Sequence, residues 1–148
     1  MSLRIIDTDH VSLALRGNQQ ILGRLSQMSD QAHITIITVQ EIFNGWMSEL
    51  NQPNATKESI IYHYHHLFNT MELLRKLPIL EFDTIAFDRY EKLLRQNPNL
   101  RKKRLQKDMR IAAIALVNDA IVVTRNQRDF EQVPELQIED WTQNKNLI

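Results

Sequence analysis

Short β-branched apolar runs alternate along the chain with longer stretches in which apolar residues return every three or four positions. The runs Arg4–Ile6, Ile34–Ile37, Ile79–Phe82 and Ile121–Thr124 predict strands, and Leu136–Ile138 a weaker fifth. In TVQEIFNGWMSEL, residues 38–50, Val39, Ile42, Phe43, Trp46, Met47 and Leu50 keep helical spacing. Ile60, Ile61, Tyr64, Leu67, Phe68, Met71 and Leu74 do so over a longer segment, which Asn54 or Thr56 could cap. Asp83 or Thr84 opens a helix carrying Ile85, Phe87, Tyr90, Leu93 and Leu94, which stops before Pro98. A further helix, rich in Ala and Ile, covers about 105–118, and a short one begins near Val11. Strands separated by helices imply parallel pairing through right-handed crossovers. The expected fold is therefore an α/β three-layer sandwich around a mainly parallel sheet of about five strands.

In such a sheet, sites form beyond the carboxyl ends of the strands, and that rule selects among the acids. Asp7 follows the first strand, Glu41 falls in the first turn of the helix after the second, and Asp129 lies five residues beyond Thr124. Asp108 stands near the start of the helix that feeds the fourth strand. Ala112 and Ala115 at helical spacing place it on an inward face. Each acid also has a purely structural use. Asp7 or Asp9 could cap the first helix, Thr38 and Glu41 have the spacing of a capping box, and Asn126 could cap a short turn with Asp129 at its third position. Together, however, four converging carboxylates raise one another's pKa unless something neutralises them. A hard divalent cation, Mg²⁺ or Mn²⁺, is the common solution. The chemistry it implies is hydrolysis of a phosphodiester.

Charge changes this picture only locally. The 148 residues carry no net charge and no cysteine, which excludes a disulfide framework and a thiolate metal site and suits a reducing cytoplasm. Length and composition fit a single soluble domain over 1–148. The first residues lack the apolar stretch of a signal peptide, and no run is long enough to span a membrane. Between Arg95 and Arg110, however, seven of the eighteen basic residues face one acid, Asp108. Arg101, Lys102, Lys103, Arg104, Lys107 and Arg110 are candidates for gripping a polyanion; a solvated loop and helix start is the alternative.

The blocks IIDTDHVSLALRG, TVQEIFNG, KDMRIAAIAL and VVTRNQRDFEQVPELQIEDW together resemble a PIN domain of the VapC ribonuclease-toxin type, in family order and over nearly the whole chain. The resemblance implies a Mg²⁺- or Mn²⁺-dependent endoribonuclease acting on RNA such as tRNA or rRNA. It also implies a small antitoxin partner and a homodimer. By position, Asp7, Glu41 and Asp108 match the acids that hold the metal, and Thr124 the hydroxyl residue beside them. The chain departs from the family pattern in reading Asp-Thr-Asp at the start, which brings in Asp9. It also has Asn126 where many relatives have Asp, which leaves Asp129 as the nearby carboxylate. Alternatives are a PIN-like module that binds without cleaving, or a haloacid-dehalogenase-like phosphatase using Asp7 as nucleophile and Asp9 as acid. A receiver domain would need an Asp-Asp pair that is absent. In YHYHH, residues 62–66, His63 and His66 share a helix face and read as polar-side residues opposite Tyr64, and His10 reads as a partly exposed histidine at a helix start.

Overall fold

The computed structural model describes residues 2–143; Met1 and residues 144–148, part of the single domain expected over 1–148, lie outside the described residues. In chain order the elements are β1 (Arg4–Ile6), α1 (Thr8–Leu15), α2 (Gln19–Gln27), β2 (Ala32–Thr35) and α3 (Ile36–Leu50). They continue with α4 (Lys57–Leu74), β3 (Ile79–Leu80), α5 (Thr84–Gln96), two 3₁₀ turns (Pro98–Arg101 and Lys103–Leu105) and α6 (Gln106–Val117). β4 (Ile121–Val123), α7 (Gln127–Phe130) and β5 (Gln137–Glu139) complete them. The sheet has the order β3-β2-β1-β4-β5 and every pair is parallel, as the alternation of strands and helices requires. No helix among the described residues is long and apolar enough to cross a membrane.

Successive strand residues feed opposite faces, so one strand supplies two cores. Ile5 and Val122 pack with Tyr90, Leu93, Met109, Ala112 and Ala113 beneath α5 and α6. Ile6 and Val123 pack with Val11, Ile21, Ile42, Leu74 and Trp141 on the other side. Central strands buried on both faces read as unbroken apolar runs, which is why β1 and β4 are so legible.

Three local expectations are revised. The second strand lies at Ala32–Thr35, and Ile36 and Ile37 already belong to α3. The reason is a cap: Thr35 Oγ1 accepts from the Thr38 backbone N–H at 3.1 Å, so the helix starts inside the β-branched run. The third strand is two residues long and pairs only with β2, at the sheet edge. Helix α2, capped by Asn18, has no counterpart among the expected elements. Only Ile21 of its residues is fully buried, but Leu22 and Leu25 pack beside it at helical spacing, an amphipathic stripe that the sequence carries and the expected elements omit.

The chain leaves the central β1 toward β2 and β3 and returns to build β4 and β5 on the opposite side. The reversal places a crevice at the carboxyl ends of β1 and β4. Asp7 and Thr124 are the first residues beyond those two strands.

Candidate metal centre

Asp7 is anchored at this crevice on three sides. Its backbone N–H donates to the Val123 carbonyl at 3.0 Å. Its carboxylate accepts from the Thr8 backbone N–H at 2.8 Å, at the start of α1, and from the Thr124 hydroxyl at 2.8 Å. Thr124 is fully buried, and its oxygen accepts in turn from the Asn126 backbone N–H at 2.9 Å. With Asp7 almost wholly buried, desolvation pushes its carboxyl up to about 6; the two hydrogen bonds oppose this, while the charges of Glu41 and Asp9 add to it.

Glu41 approaches from α3. It lies in the second turn rather than the first, because α3 begins at Ile36. The capping-box reading of Thr38 and Glu41 is overturned: Thr35 holds the cap, and the Glu41 carboxylate accepts from the Thr8 hydroxyl at 2.8 Å. That hydroxyl also lies 3.2 Å from the buried Thr38 hydroxyl. Thr8 therefore bridges the first and third helices at the crevice, a role its sequence position between two aspartates does not advertise.

Asp108 comes from the first turn of α6. Burial comes first in pushing its carboxyl up to about 7, followed by the charges of Asp7, Glu41 and Asp129; Arg104 opposes them. The Asn126 amide donates to Asp108 at 3.1 Å and to Asp129 at 3.2 Å, joining the two carboxylates. Arg104 Nη1 lies 3.2 Å from both Asp129 oxygens. Asn126 and Asp129 thus stand side by side at the crevice, joined by the Asn126 amide.

Asp9 is engaged elsewhere. The Arg125 guanidinium takes both its oxygens, at 2.6 and 2.8 Å, and holds its carboxyl below the usual range. His10 is fully buried rather than partly exposed. Its Nε2 accepts from the Trp141 backbone N–H at 3.1 Å, and burial lowers its pKa, so the ring is held neutral. Of the basic candidates, Arg101, Lys102, Lys103 and Arg104 are exposed and Lys107 is half-buried. Arg110 instead lies over the rings of Phe82 and Tyr90, at 5.8 and 5.5 Å, with its Nε buried and unpartnered. It is half-buried against these rings, unlike the four exposed cations before it. His63 and His66 pack on Trp46, while Tyr64 points to solvent, the reverse of the expected polar and apolar sides.

Among the described residues, no three carboxylates or imidazoles are drawn up around one point as in a finished metal cage. The donor set nevertheless fits a hard divalent ion. It consists of oxygens alone, and two of the carboxyls are held above their ordinary range by burial and by one another's charge. Arg104 pairs with Asp129 at 3.2 Å and also opposes the rise at Asp108.

A sequence model of the PIN domain matches residues 4–136, and the chain belongs to that family. No match is found among curated proteins. Among solved structures, a chain of the DNA-bound VapBC complex of Salmonella typhimurium superposes with a TM-score of 0.76 at 23% identity, over 95% of this chain and 99% of that one. A chain of VapBC2 from Rickettsia felis, bound to a DNA fragment from its promoter, gives 0.74 at 21% identity over 94% and 98%. A chain of VapBC-5 from Mycobacterium tuberculosis, described as a member of the VapBC family of toxin-antitoxin systems, gives 0.62 at 20% identity over 95% and 99%. At these identities the likeness is one of fold.

Proposed function

We propose that this chain is a divalent-metal-dependent endoribonuclease and the toxin of a toxin–antitoxin pair. The observation that carries the reading is the group formed by Asp7, Glu41, Asp108 and Asp129 at the carboxyl edge of the sheet, with Asp7 and Asp108 pushed up to about 6 and 7. An acidic site built so is unfavourable unless a cation repays it. Asp7, Glu41 and Asp108 would hold Mg²⁺ or Mn²⁺, with Asp129 and Asn126 completing the surroundings. When bound, such an ion lowers the pKa of an attacking water and stabilises charge on a phosphate. The chain's own residues do the positioning. Thr124 and the Thr8 N–H fix Asp7, the Thr8 hydroxyl fixes Glu41, and Asn126 fixes Asp108 against Asp129.

The exposed Arg101, Lys102, Lys103 and Arg104 immediately precede α6, whose first turn carries Asp108. A phosphate held by these cations would arrive beside the acids. The phosphatase alternative needs Asp9 as a free acid, and Arg125 occupies both of its oxygens. A protein partner is supported by likeness to VapBC chains, one of which is described as part of a toxin-antitoxin system. It is also supported by the apolar residues exposed on α4.

The test is cleavage of total tRNA and rRNA by the isolated chain with Mg²⁺, with Mn²⁺ and with EDTA, beside Asp7→Asn. Discrete fragments that require both metal and Asp7 are expected. Cleavage by Asp7→Asn and Glu41→Gln at the wild-type rate would remove the metal-site reading. Absence of cleavage together with absence of metal binding would leave a module that binds without cutting.

A further inference from the structure

A groove of about 740 Å³ leads away from Glu41 along α1, α3 and α4. Thr8 and Glu41 line one part of it, and Trp46, Tyr62, His63 and His66 another. Glu41, Gly45 and Glu49, four residues apart, form one row of α3 along the groove. Glycine inside a helix is less favourable than alanine, and Gly45 has an ordinary backbone with nothing within 4 Å of where a Cβ would stand. Close packing therefore does not explain it. The missing side chain keeps open a space that no other part of the described chain fills.

The aromatic wall is held in a fixed orientation. The Trp46 indole N–H donates to Thr70 Oγ1 at 2.9 Å, and that buried hydroxyl donates to the His66 carbonyl at 2.8 Å. His66 lies nearly parallel to the indole, 16° between planes at 5.8 Å, and Tyr62 packs on His66 at 4.1 Å. His63 Nδ1 stands 2.7 Å from the Ser59 carbonyl, and its Nε2 faces the exposed Glu49 carboxylate at 3.5 Å. Trp46 follows Glu41 by five residues, about 7.5 Å along a helix, within the reach of one nucleotide.

We infer that this groove is a subsite for one unpaired nucleobase of the RNA, adjacent to the phosphodiester cleaved; the inference rests on the nuclease reading above. Single-stranded RNA is recognised by stacking on aromatic and imidazole rings and by hydrogen bonds to exposed base edges. The Trp46, Tyr62 and His66 rings supply the stacking surface. Stacking tolerates any base, so selectivity falls to Glu49. As an acceptor-only carboxylate, it favours an edge that presents two donors, as guanine does, over uracil. A base inside a duplex has no free face to offer, which makes a loop or a strand end the preferred target.

The test uses the full chain in EDTA, titrated with a single-stranded mixed-sequence octanucleotide and with an abasic oligonucleotide of the same length, while tryptophan fluorescence is followed. Trp141 is fully buried, so quenching reports Trp46. Saturable quenching by the octanucleotide but not by the abasic strand is expected. Tyr62→Ala and Gly45→Leu, each shown to be folded by circular dichroism, should weaken binding about tenfold, the loss of one stacked base. With metal restored they should raise KM with little change in kcat. Unchanged RNA affinity and cleavage in both variants would overturn the subsite and leave the nuclease standing. If in addition Gly45→Leu abolished inhibition by the co-expressed antitoxin, the groove would belong to a polypeptide instead. No RNA binding and no metal-dependent cleavage would overturn both readings.

Discussion

Thr8 shows how one hydroxyl positions a carboxylate of the proposed site. Its hydroxyl donates to Glu41 at 2.8 Å while its backbone N–H donates to the Asp7 carboxylate that caps α1, so a single residue orients two of the proposed ligands. Thr8→Val keeps the shape and removes the hydroxyl. Cleavage is expected to fall by roughly 10- to 100-fold, as is usual when a partner of a metal ligand is lost, with rescue by Thr8→Ser; steady-state kinetics check this. Asp7 illustrates the opposing pressure. Its carboxyl titrates near 6 in the folded chain against about 4 when exposed, and Asp108 near 7. The folded state therefore binds more protons than the unfolded state between about pH 4 and 7. Stability contributed by these two groups is full below pH 4 and is lost as pH rises through 6 and 7. In metal-free protein Asp7→Asn should accordingly gain on the order of 2 kcal/mol at pH 8 and almost nothing at pH 4, read from denaturant unfolding at the two pH values.

Helix starts decide where the site residues fall. α3 begins at Ile36 because Thr35 caps it, and that register presents Glu41 to Thr8. Asp83 caps α5 by accepting from the Ala86 N–H at 3.0 Å. Thr35→Ala and Asp83→Ala should each destabilise the fold by about 1 kcal/mol, measured by urea unfolding. Glu41→Gln should not, since it removes no cap and relieves repulsion with Asp7 and Asp108; it should abolish cleavage nonetheless. A helix-capping role for Glu41 predicts the reverse, stability lost and activity kept. The α6 run Ala112, Ala113 and Ala115 is wholly buried, and these short side chains let the helix lie close under the sheet with Asp108 at the crevice.

At the scale of the whole molecule, the acidic crevice is expected to couple folding to metal. An ion at a hundred times its Kd stabilises by about 2.7 kcal/mol, which for a chain of this size raises Tm on the order of 5–10 °C. Calorimetry with Mg²⁺ or Mn²⁺ should show the rise in wild type and its loss in Asp108→Asn. A second whole-molecule feature is the outer face of α4, where Ile61, Tyr64 and Phe68 are 59%, 59% and 62% exposed. Apolar residues at that spacing form one stripe, a surface that association would cover. If it joins two copies, Phe68→Asp should lower the mass seen by light scattering from dimer to monomer.

The parallel sheet and the helices α3 to α6 followed from sequence, because doubly buried strands and amphipathic helices write their burial directly into apolar spacing; the order of the strands in the sheet came only with the structure. Three of the four acids could be chosen from the topology rule, since a residue just past a strand is at its carboxyl edge wherever that strand lies. Tertiary structure alone decided what each acid does there. Thr8 meets Glu41 across 33 residues, Arg104 meets Asp129 across 25, and Arg125 removes Asp9 across 116. It likewise turned His63 and His66 inward onto Trp46, buried His10 beneath Trp141 and laid Arg110 over Phe82 and Tyr90. Periodicity records which side of an element is buried. It carries no trace of which polar group, distant in the chain, waits on that side.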